Sequence, residues 1–298
     1  MHRLSSMYRF WTLVLVVCTA FPMQSLGNAV VLSSAAPNVE GAVAPSVHLP
    51  IRMMSEERDG AVHVEIDGVL DHRFATVSTA LAAPGNWCEF VPLHYYVKAC
   101  TYYYQAKQAR LRFYVGRKAA RRSPALDYRY HVQALDNNYL KVRLHAPRGP
   151  LNTKDFRIEL EAKPVLHQTR ITINASFRPK LLSRAAVAAY LATWGRNEIG
   201  FSIIRLDKTG KPIYVRGRQG LMERNVMRCY LALKALLDTQ HLPLNGRFEA
   251  RIGHWFDLTE QYHRQLHHME REEYVEAKRR ERALQLELQR SHADEDEA

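Results

Sequence analysis

Between Val97 and Phe177, apolar and polar residues alternate in one segment after another, with no helical pattern among them. Leu111, Phe113 and Val115 oppose Arg110, Arg112 and Tyr114; Leu126, Tyr128, Tyr130 and Val132 oppose Asp127, Arg129 and His131. Further on, Leu140, Val142 and Leu144 oppose Lys141, Arg143 and His145. The same pattern sets Phe156, Ile158 and Leu160 against Arg157, Glu159 and Glu161, and Ile171, Ile173, Ala175 and Phe177 against Arg170, Thr172 and Asn174. An earlier segment sets Val62, Val64 and Ile66 against His63, Glu65 and Asp67. Period two means strands, and short connections such as Asp136–Asn138 make neighbours antiparallel. In Val97–Tyr104, Val97, Ala99, Thr101 and Tyr103 share one side. The pattern therefore predicts about seven strands in one antiparallel sheet, wet on one face and needing cover on the other.

The cover is predicted at Arg218–Gln240. Met222, Val226, Cys229, Tyr230, Leu233 and Leu237 recur at steps of three and four, with Glu223, Arg224, Arg228 and Lys234 elsewhere on the helix. Pro243 ends the run. Two short helices, broken at Pro84–Gly85, are expected between the first strand and Val97, with Val77, Leu81, Trp87, Phe90 and Val91 inward. The expected fold class is α+β: a curved sheet wrapped around one long helix.

Residues 1–29 have the layout of a secretory signal peptide: Arg3 and Arg9, the apolar run Phe10–Phe21, then small residues at Ser25, Gly27 and Ala29. Cleavage near Gly27 or Ala29 would make the protein periplasmic or secreted; an uncleaved anchor is the alternative. Residues 30–59, rich in Ala, Ser, Val and Pro, are expected to be a flexible leader, and 60–242 the main domain. Leu181–Trp194 reads as a short helix, and the stretch around Lys208–Gly210 as a strand hairpin. Residues 243–298 read as a helical extension, its helix starting at Asp257 or Thr259 and ending in an acidic tail. Its mixed charges suit a solvated helix or one that self-associates.

An oxidising compartment permits a disulfide, and Cys88 with Cys100 is the local pair; Cys229 is then left on the apolar helix face as an inert thiol. The formal net charge of +12 makes an anionic membrane surface a candidate partner. The basic residues are scattered rather than clustered, which speaks against nucleic acid.

Three stretches carry a family resemblance: PGNWCEFVPLHYYVKAC (Pro84–Cys100), GPLNTKDFRIELEA (Gly149–Ala162) and GKPIYVRGRQGLMERNVMRCYLALKALL (Gly210–Leu237). With the order strand, two short helices, strand meander and long helix, the chain resembles the START-like (steroidogenic-acute-regulatory-protein-related lipid transfer) superfamily, which also holds polyketide cyclases. It is most similar to secreted bacterial members. The resemblance spans Gly60–His241 and implies a helix-grip fold. Leu181–Lys211 and the helix after Pro243 depart from the pattern. It further implies an apolar small molecule or lipid held between sheet and helix, without a cofactor. The walls would be Leu111, Phe113, Tyr128, Tyr130, Val142, Ile158 and Ile173 from the sheet, with Met222, Met227, Tyr230 and Leu233 from the helix. The same residues also suit a filled core.

Enzymatic chemistry has little to stand on. Neither HExxH, GxSxG nor a phosphate-binding glycine loop occurs. Glu89, set among apolar residues, is the candidate cavity acid for a cyclase or hydrolase, with a helix-end role as its structural alternative. Among fourteen histidines, His263 and His267 have the i, i+4 spacing of a metal pair, but sequence nominates no third ligand and no metal is expected.

Overall fold

The computed structural model describes residues 30–31, 51–116, 119–149, 153–179 and 198–297, with side chains as far as 292 in the last stretch. The signal-peptide reading and the Leu181–Trp194 helix lie outside the described residues.

Nine strands form one antiparallel sheet: β1 (Val30–Val31), β2 (Arg52–Arg58), β3 (Ala61–Leu70), β4 (Val97–Gln105), β5 (Gln108–Val115), β6 (Ala125–Leu135), β7 (Leu140–Arg148), β8 (Lys154–Val165) and β9 (Gln168–Arg178). Their order is β1-β2-β3-β9-β8-β7-β6-β5-β4. The first long strand thus pairs with the last, Ile66 opposite Ile173, and the meander runs out to β4. Helices α1 (Phe74–Ala82) and α2 (Pro84–Phe90) fill the step from β3 to β4, and Pro84 sits where a missing N–H costs nothing, at the first turn of α2. A small hairpin, β10 (Ile203–Leu206) with β11 (Pro212–Tyr214), precedes the long helix α3 (Gly217–Thr239). The fold is α+β and helix-grip: a sheet closing on α3.

The expected single wet face holds from β5 to β9. In β7, Leu140, Val142, Leu144 and Ala146 are buried while Lys141, Arg143 and His145 are only partly covered. The outer face carries cross-strand ion pairs such as Lys141–Glu161 (2.8 Å) and Arg143–Glu159 (2.6 Å). Two parts of the sheet depart from the expectation. The last residues of the expected leader form β2, paired with β3 along its whole length. In β4, Cys100 lies opposite inward-facing Phe113, so Ala99 and Thr101 are on the other side, and all three are buried.

The cover on that outer side is the C-terminal extension. It is not one helix starting at Asp257 or Thr259. Helix α4 (Leu244–Glu260) comes first, the single turn α5 (His263–Leu266) follows, and α6 (Arg271–Glu297) runs back along β4. Phe248, Ile252, Trp255 and Phe256 form an apolar stripe on α4 that the expected later start overlooked. On α6, Tyr274, Lys278 and Gln285 are buried against this chain's own domain. One face of the helix expected to be solvated or self-associating is therefore engaged within the chain, while Glu276 and Arg280 on it remain exposed.

Helix α3 is enclosed on nearly every side, which corrects the placing of its charged residues off the buried surface. Glu223, Arg224 and Arg228 are 0%, 2% and 4% exposed. Each has partners that offset desolvation. Glu223 accepts from Ser55 Oγ (2.5 Å), Ser202 Oγ (2.6 Å), and the N–H groups of Phe201 (2.6 Å) and Ser202 (3.0 Å). Arg224 pairs with Glu198 and donates to Ile199 O (3.1 Å). Arg228 donates to Leu266 O (3.1 Å) and lies over the Tyr95 ring. At the other end, Asp238 receives His72 Nε2 (2.8 Å), His254 Nε2 (2.6 Å) and Lys234 Nζ (2.8 Å), tying α3 to the entry of α1 and to α4. Burial opposes the Asp238 charge, but these three bonds outweigh it and hold the carboxyl well below the usual range.

Candidate binding site

All eleven residues expected to wall a cavity belong to, or pack against, the hydrophobic core that joins sheet and helices. Ten are buried and Ile158 is half-buried. Many meet one another or cross the interior. Phe113 and Tyr128 have ring centroids 4.7 Å apart, and the row continues through Phe156 to Phe177 at 6.1 Å steps. The Tyr130 hydroxyl donates to Leu81 O (2.7 Å) and its ring packs on Trp87. Tyr230 lies on β3 at Gly68, where a Cβ would fall 2.6 Å from its hydroxyl oxygen, so only glycine admits it. Burial pushes the hydroxyls of Tyr128, Tyr130 and Tyr230 up, keeping them neutral donors. Toward β6 and β8 the lining is looser: Val132, Phe156, Ile158 and, on α3, Cys229 each retain accessible surface. The Cys229 thiol is pushed up to about 11 by burial, and as a neutral thiol it is a poor nucleophile.

A hollow of ligand size opens elsewhere. It is an open groove of about 700 Å³ between α1 and α4, lined also by residues of α2, the C-terminal part of α3, and α6. Ala80, Leu236 and Phe248 give it an apolar floor. Its polar lining is dominated by Arg247, Arg251 and Arg282, with Glu89 as the sole carboxylate. Arg251 is 2% exposed, held by Glu89 Oε2 (2.8 Å) and Thr239 Oγ1 (3.3 Å). Arg282 bonds the other Glu89 oxygen (2.8 Å) and lies over the Phe248 ring. Three guanidiniums facing one carboxylate leave the groove net positive.

Glu89 is paired with Arg251 and Arg282, joining α2 to α4 and α6 at the wall of the groove, an arrangement that matches the structural alternative the sequence offered for it. Its sequence neighbours are structural too: His94 is buried with Nε2 on Asn225 (3.1 Å), and Lys98 pairs with Glu281 (2.8 Å). Burial, then Arg228 and Lys278, push His94 well down, so it stays neutral. Cys88 and Cys100 are bridged, Cα–Cα 4.9 Å, fastening α2 to β4. Cys229 is the free cysteine among the described residues.

The structure supplies what the sequence reading left out at the histidine pair. Glu260, at the end of α4, receives Nδ1 of both His263 (2.7 Å) and His267 (3.1 Å). The groove arginines share a surface only where α4 and α6 dock, which sequence spacing does not report, whereas Glu260 stands three residues before His263, a spacing that was legible in the chain.

No family model and no curated protein matches the chain. Solved structures similar to it include a protein from Thermus thermophilus, at 12% identity over 60% of this chain and 99% of that one, TM-score 0.40. Human StAR-related lipid transfer protein 5 is similar at 11% identity over 67% and 86%, TM-score 0.39. The ZhuI aromatase/cyclase from a Streptomyces species is similar at 13% identity over 44% and 85%, TM-score 0.33. Such identities concern the fold alone. The helix-grip fold rests on this chain's own topology: β3 closing against β9, two short helices, and a sheet gripping α3.

Proposed function

We propose that this chain is a non-enzymatic binding protein for a small apolar molecule bearing an anionic group, with a lipid as the leading candidate. The carrying observation is the groove between α1 and α4. Its volume of about 700 Å³ lies within the usual range for small-molecule sites, roughly 300–1,000 Å³. Apolar residues on its floor would take the ligand body, and Arg247, at the rim, would meet the anionic end. Export is part of the reading and rests on the arrangement of residues 1–29. An anionic membrane surface is the proposed docking partner for loading, from the net charge of +12.

The test is titration with a fluorescent fatty acid, read against Thr79→Trp, which fills the groove from the exposed face of α1. Saturable one-to-one binding weakened about tenfold or more by the substitution is expected, a loss of roughly 1.4 kcal/mol. Undiminished binding by Thr79→Trp would remove the groove from consideration.

A second reading keeps the ligand between sheet and α3. It is favoured by the accessible surface left on Val132, Phe156, Ile158 and Cys229. Here a bound fatty acid would protect Cys229 from alkylation at alkaline pH, whereas groove binding would leave the rate unchanged.

A further inference from the structure

The strongest unassigned cluster lies where α4 ends and the chain turns towards α6. We infer that Glu260, His263 and His267 form a divalent transition-metal site, with Zn²⁺ as its natural occupant. One ligand atom from each residue can be chosen so that all three lie within 4.8 Å of one another. The imidazole centroids are 4.2 Å apart, and both Nδ1 atoms converge on the same carboxylate. Tetrahedral zinc with bonds of about 2.0–2.2 Å sets its ligand atoms about 3.4 Å apart. The Nδ1–oxygen separations of 2.7 and 3.1 Å would open only slightly to admit it. Two imidazoles and one carboxylate suit zinc, and copper(II) and nickel(II) also bind such sets.

The ligands are held by a frame that is not itself part of the site. Leu266, between the two histidines, is fully buried, and its carbonyl accepts from buried Arg228. Tyr262, just before them, packs its ring edge-on to Phe201. Arg264 is turned to the Tyr214 ring. Beyond the ligands, Glu270 Oε1 lies 4.0 Å from His267 Nε2, placed to receive that N–H once Nδ1 takes the metal. The His263 side chain is 67% exposed, leaving a fourth position to water. Because Glu260 belongs to α4 and His267 leads into α6, bound zinc would staple the bend that returns α6 to the sheet.

The experiment is calorimetric titration of untagged, full-length protein with ZnCl₂ in a non-coordinating buffer, with equilibrium dialysis for stoichiometry. One equivalent is expected. Glu260→Gln, His263→Ala and His267→Ala should each weaken binding by about tenfold or more, and Glu270→Gln by a smaller factor. His241→Ala, an exposed histidine elsewhere, should bind as the native chain does. Cobalt(II) in place of zinc should give the strong visible absorption of a four-coordinate ion, lost in His267→Ala. The ligands lie at a surface turn, and unchanged circular dichroism will show that the variants fold. Absence of zinc uptake by the native protein, or equal uptake by His263→Ala and His267→Ala, would overturn the assignment; the cluster would then be a hydrogen-bonded turn.

Discussion

The two edges of the sheet are closed by different means. At β4, side chains of α6 take the place of a neighbouring strand. Gln285 accepts from Cys100 N–H (3.0 Å) and donates to Cys88 O (2.9 Å); Gln289 accepts from Tyr102 N–H and donates to Tyr102 O, both 2.9 Å. The match is geometric. Residues four apart on a helix rise about 6 Å, and residues two apart on a strand advance about 6.8 Å. Two glutamines one turn apart can therefore meet two strand residues that are two apart. At the opposite edge, β1 pairs only with Arg52 and Met53. Beyond that, among the described residues, β2 carries charge at Glu56, Glu57 and Arg58, with Glu57 paired to Arg218 of α3 (2.6 Å) and Met54 43% exposed. Charged, short edges resist unwanted strand pairing without any cover. The β4 edge carries Val97, Ala99, Cys100 and Thr101, and its one charge, Lys98, is taken up by Glu281 of α6 (2.8 Å), so this edge depends on α6.

The largest effect that would break this contrast is loss of the anchor holding α6. Tyr274 is fully buried, packed among Tyr95, Trp255 and Phe256, and its hydroxyl donates to Leu93 O (3.0 Å). Tyr274→Ala should cost about 3–5 kcal/mol in urea unfolding, and hydrogen exchange should show β4 amides opening before those of β8. Removing the bridge between Cys88 and Cys100, by serine at both positions, should cost about 2–4 kcal/mol, unfolding the β4 side first. Gln285→Ala would strand the buried Cys100 N–H and Cys88 carbonyl, a loss of about 1–3 kcal/mol.

Lys278 gives the same edge a pH dependence. Burial lowers its amine to about 8, against the opposing pull of Glu281. A base whose folded value lies below its unfolded one carries a penalty below the folded value, relieved as pH rises. Relative to Lys278→Met, the native protein should gain about 2 kcal/mol between pH 8 and 10, at most 1.36 kcal/mol per unit. The comparison stops at 10 because the buried tyrosines, with raised values, begin to work in the opposite direction. A stability gap independent of pH would mean that the amine is solvated and α6 is loosely docked.

The same contrast explains what could be read from the chain alone. Strands β5 to β9 each have one wet face, so alternation reported both strand and side. In β4 both faces are buried at Ala99–Thr101, and alternation could not say that Cys100 rather than Ala99 faces inward. The β2 segment, RMMSEER, has no apolar period because little of it touches the core. On α3 the apolar face was legible, yet Glu223 and Arg228 were placed off the buried surface, because their cover comes from residues 198–202 and α4, distant in sequence. The disulfide was legible because its partners are close along the chain and α2 returns directly to β4. The groove was not, since Arg247, Arg251 and Arg282 acquire a common surface only when α4 and α6 dock.

The smallest effect concerns the open edge, and it sharpens the comparison most directly. Met54→Lys adds a charge to β2 where the side chain already meets water. Surface changes away from caps, cores and networks usually fall within about 0.5 kcal/mol, and that is the range expected in urea unfolding. Aggregation on heating should not increase, because an edge lysine opposes strand pairing. The counterpart is Gln285→Ala with Gln289→Ala, which uncovers β4 without charging it and should raise light scattering at temperatures where the fold persists. If both proteins behaved alike, cover by α6 would be incidental to edge protection, and the two glutamines would be fastening the extension rather than guarding the sheet.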